Sequence, residues 1–223
     1  MKNDKISVVI RTKNEERWIG YAIQSVLNHL NKPEIIIVDN NSTDETLTII
    51  NYFIQDKVNG NKNYTNIKIY KIKDYTPGKS LNLGVKKSKN QNILIMSAHC
   101  QLEHINLKQH FKDLKKYVCI FGKQEPIFRG KKINKRYIWS HFQNKKTINM
   151  FSKLENRYFL HNALAIFRKN TLIKYKFNEI LAGKEDRYWA NNQIKNKKKI
   201  LYDPELKAIH HYTENGNTWK GMA

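Results

Sequence analysis

Four short apolar runs, separated by three stretches of helical periodicity, fill the first hundred residues, and that alternation leaves the chain few folds to adopt. Residues 6–12 (ISVVIRT), 34–40 (EIIIVDN), 66–72 (NIKIYKI) and 92–98 (NILIMSA) are short and β-rich. Between the first two, Trp18, Ile19, Ala22, Ile23, Val26, Leu27 and Leu30 recur at helical spacing over 17–30. After the second, Ser42 is placed to cap a helix whose first turn carries Asp44 and Glu45. After the third, Leu81, Leu83 and Val85 mark a helix over 78–88. A βαβαβαβ order predicts an α/β, Rossmann-like fold with a doubly wound, mostly parallel sheet.

The second half is less regular. A helix is predicted over 106–117 and another over 185–195, with strands at 118–124, 162–168, 199–204 and 208–212. Residues 129–149 mix Lys and Arg with Ile133, Tyr137, Ile138, Trp139 and Phe142, which at helical spacing gives an apolar stripe beside a basic face. The composition changes near 100–105, but no flexible linker or repeat appears, so residues 1–223 are read as one domain with halves 1–104 and 105–223.

Charge narrows the partners. The chain has 41 basic and 19 acidic residues, a net charge of +22, which favours anionic partners. Of the basic residues 34 are Lys and 7 are Arg, and there are 27 Asn, a bias that an AT-rich genome also produces. A dedicated nucleic-acid reader leans on Arg, whose planar fork suits bases and phosphates, so nucleic acid is not the expected partner. Cys100 and Cys119 are too few for a disulfide framework and suit a reducing compartment. No apolar run reaches the roughly 18–20 residues needed to span a bilayer, and the start does not read as a signal peptide. The expected location is the cytoplasm, with the inner face of the plasma membrane as a docking surface.

In open α/β sheets ligands bind beyond the carboxyl ends of the strands. Three such ends are polar here: Arg11-Thr12-Lys13-Asn14-Glu15, Asp39-Asn40-Asn41-Ser42-Thr43-Asp44 and Ser97-Ala98-His99-Cys100. Such a row can hold a nucleotide through a carboxylate or amide for the base, hydroxyls for the ribose, and cations or a metal for phosphate. There is no GxGxxG after a strand and no GxxxxGK[ST], which demotes dinucleotide oxidoreductases and P-loop NTPases.

Residues 6–46 (ISVVIRTKNEERWIGYAIQSVLNHLNKPEIIIVDNNSTDET) resemble the opening of the family 2 glycosyltransferases, which have the GT-A fold: a strand ending in Thr-x-Asn-Glu, a helix, then a strand ending in Asp-[Asp/Asn/Ser]-x-Ser-x-Asp. GKSLNLGVKKSKNQNILIMSA resembles the next block, a Gly-x-x-x-Asn-x-Gly helix and the strand leading to the metal motif. HNALAIFRKNTLIKYKFNEILAGKEDRYWA resembles the acceptor half with its Glu-Asp signature. The resemblance implies an inverting sugar transfer from a nucleotide-diphosphate sugar, with residues 1–104 as the donor half and 105–223 as the acceptor half. It places Thr12, Asn14, Glu15, Asp39 and Asn40 on nucleoside-binding positions, Lys79 and Asn82 on the helix bordering the donor, and Ser97 at the fourth strand's end. Asp186 falls on the catalytic base, with Glu185 next in line. A base is required on chemical grounds too, because an acceptor hydroxyl must lose its proton as it attacks. Since i and i+1 do not share a helix face, Glu185 is expected to point elsewhere.

One departure matters. Most of the family carries Asp-x-Asp where this chain has Ser97-Ala98-His99. Either His99 holds a divalent cation (Mn or Mg) with His210 or His211, or protein cations such as Lys79, Lys13 or Arg11 meet the diphosphate. Asp-x-His in the related polypeptide N-acetylgalactosaminyltransferases shows that imidazole is acceptable there, and imidazole suits Mn and Zn better than Mg. Alternation along a strand lets one of His210 and His211 point inward, and His210 is preferred. His29, His104, His110, His141 and His161 read as surface or packing residues. The Ser-Ala-His-Cys form resembles a subset of bacterial polysaccharide transferases, some of rhamnosyl type, that also carry Gly-x-Gln-x-Pro, as GKQEP does at 122–126. The Gln-x-x-Arg-Trp segment of processive synthases is absent, which favours single addition to a glycan or polyprenyl-linked acceptor. The basic-aromatic segment 129–149 would then lie on an anionic membrane or close over the acceptor. Three other readings compete: a sugar nucleotidyltransferase, which lacks its Gly-rich loop here, a basic nucleic-acid-binding module, and a degenerate sugar-nucleotide binder without turnover.

Overall fold

The structure, a computed structural model, describes residues 5–55, 66–133 and 137–219. The first half runs β1 (Ile6–Thr12), α1 (Ile19–His29), β2 (Glu34–Asp39), α2 (Thr46–Gln55), β3 (Ile67–Lys71), α3 (Pro77–Lys87), β4 (Asn92–Ser97) and β5 (Cys100–His104). The second runs α4 (Leu107–Asp113), β6 (Cys119–Phe128), β7 (Lys131–Lys132), a 3-10 turn (Tyr137–His141), β8 (Thr147–Ile148), β9 (Phe151–Ser152) and β10 (Arg157–Tyr158). It continues through β11 (Leu164–Arg168), α5 (Lys169–Lys174), α6 (Glu185–Lys195), β12 (Ile200–His211) and a second 3-10 turn (Asn217–Trp219).

The main sheet is ordered β3-β2-β1-β4-β11-β6-β12-β5. Strands β3, β2, β1 and β4 are parallel, β11 is antiparallel to both β4 and β6, β12 is parallel to β6, and β5 is antiparallel to β12. Apolar alternation explains the two layers. Val8, Ile10, Ile35, Ile37, Leu94 and Met96 face the core under α1 and α2, while Val9, Ile36, Val38, Ile93 and Ile95 face a second core with Leu81 and Val85 of α3. Strands buried on both faces read as continuous apolar runs, as parallel strands do.

Helix α3 shows why its Gly and Asn positions are what they are. Thr76 caps it by accepting from the Lys79 amide, and Pro77 starts it. A side chain at Gly84 would collide with Val9 of β1, and one at Gly78 with the backbone of Asn178. Asn82 accepts from the Phe177 amide and donates to the Phe177 carbonyl and to Glu179. The Gly-x-x-x-Asn-x-Gly block therefore presses α3 onto the sheet and ties it to residues 177–179.

Four expectations need correction. Helix α2 starts at Thr46, so Ser42, Asp44 and Glu45 precede it; the Ser42 hydroxyl donates to Asp39, and Asp44 accepts from the Thr46 amide. Residues 129–149 do not form one helix. Ile138, Trp139 and Phe142 are buried in the second core among Phe159, Tyr202 and Trp219, so they converge around a tight turn rather than forming a stripe along an axis. The strands at 199–204 and 208–212 are one strand, β12, whose pairing with β6 shifts between Asp203 and Lys207. Strand β5 was not foreseen, although its burial alternates, with Cys100 and Leu102 inward.

Candidate active site

The ends of β1 and β4, the start of α6, and residues 137–138, 161–163, 215, 216 and 218 enclose one cleft of about 370 Å³. Of the sequence-predicted residues, Thr12, Glu15, Ser97, His99, Glu185 and Asp186 line it. The Thr12 hydroxyl is buried without a hydrogen-bond partner, as is Glu15 Oε2. Glu15 Oε1 lies 2.9 Å from His99 Nδ1, so this carboxylate fixes the ring that stands where an Asp-x-Asp would end.

Other predicted residues lie outside the lining. Asp39 is fully buried and accepts from the Ser42 hydroxyl at 2.6 Å and the Ser42 amide at 3.3 Å, an Asx-type turn that shapes the loop after β2. Asn14 adopts φ 51° and accepts from the Thr43 amide, strapping the loops after β1 and β2 together. The Asn40 amide donates to the Thr12 carbonyl. Lys79 is half-buried on α3, and Asn82 is taken up by the 177–179 segment.

The paired histidines part as alternation requires. His210 is fully buried, its Nδ1 2.7 Å from Gln124 Oε1, its ring 4.9 Å from that of His99 and close to Trp139 and Trp219. His211 stacks on Trp18 at 4.1 Å, and its Nε2 lies 3.1 Å from Gln101 Oε1. Burial, reinforced by His99 and Arg17, pushes the His211 ring down to about 4. Burial, then His99 and His161, holds the His210 ring neutral, well below the ordinary imidazole range. Gln124 belongs to the Gly-x-Gln-x-Pro segment, so that segment serves to orient His210.

At the head of α6 both acidic residues border the cleft, which corrects the expectation that Glu185 points away. In the first turn, where Lys184 enters at φ 59°, two successive side chains can flank the end of the helix rather than its side. Asp186 Oδ2 accepts from Arg187 Nη1 at 2.7 Å and the Asn162 amide at 3.1 Å, while Oδ1 accepts from the Arg187 amide at 2.8 Å. Arg187 is itself buried, donating to the Leu160 carbonyl at 2.8 Å, with its Cζ 4.4 Å from the centre of the Phe159 ring. Glu185 is held by Arg11 Nη1 at 3.1 Å. Burial pushes the Glu185 carboxyl up against the pull of Arg11, and Asp186 beside it pushes the same way.

Several lining residues were missed by sequence reasoning: His161, Asn162, Tyr75, Glu155, Arg187 and Thr218. His161 Nε2 lies 3.3 Å from the Thr218 hydroxyl, and burial with Arg187 and Arg11 nearby holds its ring neutral. The visible signals were modest: a His-Asn pair at the start of the 162–168 run, and an Arg directly after the Glu-Asp pair.

The donor set does not fit a protein-built Mg or Mn cage. Mg takes oxygen ligands, and among the described residues no three His, Cys, Asp or Glu side chains are placed to hold a metal. His99 is engaged by Glu15, and the His210 ring is enclosed by aromatic rings. Among the described residues no helix is long and apolar enough to cross a membrane.

Comparison with known proteins agrees with this architecture. Over 128 residues the chain is 31% identical to a dolichyl N-acetyl-alpha-D-glucosaminyl phosphate 3-beta-D-2,3-diacetamido-2,3-dideoxy-beta-D-glucuronosyltransferase of Methanococcus voltae, covering 56% of this chain and 37% of that protein. The crystal structure of Staphylococcus aureus TarS 1–349 in complex with UDP-GlcNAc superposes with a TM-score of 0.72 at 20% identity, over 97% of this chain and 61% of that one. GalNAc-T7 with UDP, GalNAc and Mn2+ superposes with a TM-score of 0.67 at 17% identity, over 95% of this chain and 44% of that one. The chain thus spans roughly a third of the length of the Methanococcus relative and less than two thirds of either solved chain. These solved neighbours identify the fold as the GT-A fold foreseen from the sequence. Residues 7–176 match the family described as Glycosyl transferase family 2, and the chain belongs to that family.

Proposed function

We propose that this chain transfers a sugar, with inversion, from a nucleoside diphosphate sugar to a hydroxyl of a glycan or polyprenyl-linked acceptor, one residue at a time, in bacterial-type surface glycan synthesis. The observation that carries the reading is the cleft itself: it joins the strand ends bearing Thr12, Ser97 and His99 to the carboxylates at the head of α6. Relatives named as glycosyltransferases, and a fold neighbour holding UDP-GlcNAc, support the substrate class.

In this reading the nucleotide lies over the ends of β1 and β4 and the acceptor enters on the α6 side. The acceptor oxygen forms its bond to the anomeric carbon from behind, and its proton passes to Asp186. The bond from that carbon to the phosphate oxygen breaks, and the diphosphate keeps the electron pair. Arg187 and the Asn162 amide hold the Asp186 carboxylate in one orientation, so little reorganisation is needed at the moment of reaction. The neutral rings of His161 and His210 suit hydrogen bonding rather than charge. Work on the cytoplasmic side, against the inner face of the plasma membrane, follows from a polyprenyl-linked acceptor. Leu154 and Ile180, 77% and 86% exposed, stand one and two residues along the chain from the cleft-lining Glu155 and Ala182 and support an apolar approach to the mouth.

The test is Asp186→Asn, assayed with radiolabelled UDP-, GDP- and dTDP-sugars and a polyprenyl-linked acceptor. Transfer should fall about a hundred- to ten-thousand-fold with donor affinity nearly intact, as loss of a general base does. Near-normal turnover would move the role to Glu185.

A further inference from the structure

A departing diphosphate needs positive charge beside it, and where Asp-x-Asp would gather a metal this cleft has Ser97, Ala98 and His99. Four side-chain cations border the cleft: Arg11, Lys13, Lys184 and Arg187. Arg187 is committed to Asp186, the Leu160 carbonyl and the Phe159 ring. Lys13 and Lys184 are exposed, so water screens them and nothing fixes their direction.

Arg11 is different on each count. It is the penultimate residue of β1 and pairs in the sheet register with Ser97 of β4, at the strand end that carries the altered motif. Its side chain is 25% exposed, and one of its five N–H donors is taken by Glu185 at 3.1 Å. Glu185 in turn is almost fully buried at the head of α6, so the pair spans the cleft between the donor strands and the base. A guanidinium held at one corner keeps its other donors in a planar fork, the geometry that suits two phosphate oxygens at once.

We infer that Arg11, aimed by Glu185, is the cation that meets the donor's diphosphate and takes up the charge that develops as the sugar–phosphate bond breaks. The inference rests on the transferase reading above and adds to it the group that replaces the altered metal motif. It makes nucleoside diphosphate binding independent of divalent ions.

Calorimetric titration in EDTA tests it with UDP, GDP and dTDP, each beside its nucleoside, on the wild type, Arg11→Gln and Arg11→Lys. The wild type should bind one diphosphate more tightly than its nucleoside. Arg11→Gln should lose about tenfold or more in diphosphate affinity at unchanged nucleoside affinity, and Arg11→Lys should fall between. Equal change for diphosphate and nucleoside, or no change in either, would show Arg11 to be only a tie between β1 and α6, and the inference would fail while the transferase reading stood. Tight diphosphate binding that appears only when Mn or Mg is added would also overturn the inference. A wild type that binds no nucleotide with or without metal would overturn the transferase reading and the inference together. If Arg11→Gln does not fold, Glu185→Gln leaves the guanidinium in place without its counter-charge and should tighten diphosphate binding alone; unchanged diphosphate affinity would count against the role.

Discussion

In the region from β1 to β4 the four strands run parallel to one another, and β1, β2 and β4 are buried on both faces. Around β6, β11 and β12 parallel and antiparallel pairings alternate, and much of the interior is polar. Arg187, Asp186, Asp203, His110, His161 and His210 are all buried there. The first region is held by apolar area and close helix–sheet approach. The second adds buried hydrogen bonds and ion pairs to its apolar contacts. The division separates duties: an apolar platform fixes the strand ends that border the cleft, and a polar frame orients the Asp186 carboxylate.

This contrast can be broken most forcefully at Arg187. Its loss strands Asp186 and Glu155 in the interior without their shared cation. Breaking a buried pair from one side costs about 3–5 kcal/mol, so Arg187→Ala should lower the urea midpoint sharply. A midpoint near that of the wild type would mean the polar frame contributes orientation and no stability. In the platform the sensitive point is steric. Gly84→Ala drives a methyl into Val9, an overpacking cost of about 1–3 kcal/mol, offset by up to about 1 kcal/mol of helix propensity. Thermal melting should show a modest net loss, and a stabilised variant would show that α3 sits less tightly on β1 than the geometry requires.

The smallest effect tests the join between the regions, where His211 of β12 stacks on Trp18. The folded ring is pushed down from 6.5 to about 4, so only the unfolded chain takes up its proton in that interval. The stabilising contribution is complete above pH 6.5 and is lost progressively as pH falls toward about 4. His211→Gln should therefore flatten the fall of Tm with acid between these limits. An unaltered slope would assign that acid sensitivity to the buried His161 and His210.

The two regions also differ in how far they could be read beforehand. Strands β1, β2 and β4 fall within one or two residues of their apolar runs because a strand buried on both faces leaves a continuous apolar signature, and β3 does so through its alternation. The Glu185-Asp186 pair was singled out by its resemblance to the family's Glu-Asp signature, and the structure puts it at the head of α6 beside the cleft. What was not legible depends on distant partners. Tyr137, Ile138, Trp139 and Phe142 carry a helical spacing that the packing of Phe159, Tyr202 and Trp219 overrides. His161 reaches the cleft only because β11 lies between β4 and β6 and the chain returns to it at Thr218. Asp39 and Asn82 show the converse: polar residues at promising positions whose hydrogen bonds are consumed by local architecture.

The order of strands has a consequence for synthesis. Residues 100–104, made with the first half of the chain, occupy the far edge of the sheet, and among the described residues their ladder partner is β12. The sheet is therefore closed by its last strand, which slots between β6 and β5 after roughly a hundred residues have intervened. A nascent chain leaving the ribosome carries an unmated β5 until residues 207–210 emerge. Such distant pairing is slow and leaves an edge open to other chains meanwhile. Cleavage after residue 104 would leave the first fragment without the three strands that lie between β4 and β5 and the second without the edge strand β5, so neither half holds a complete sheet.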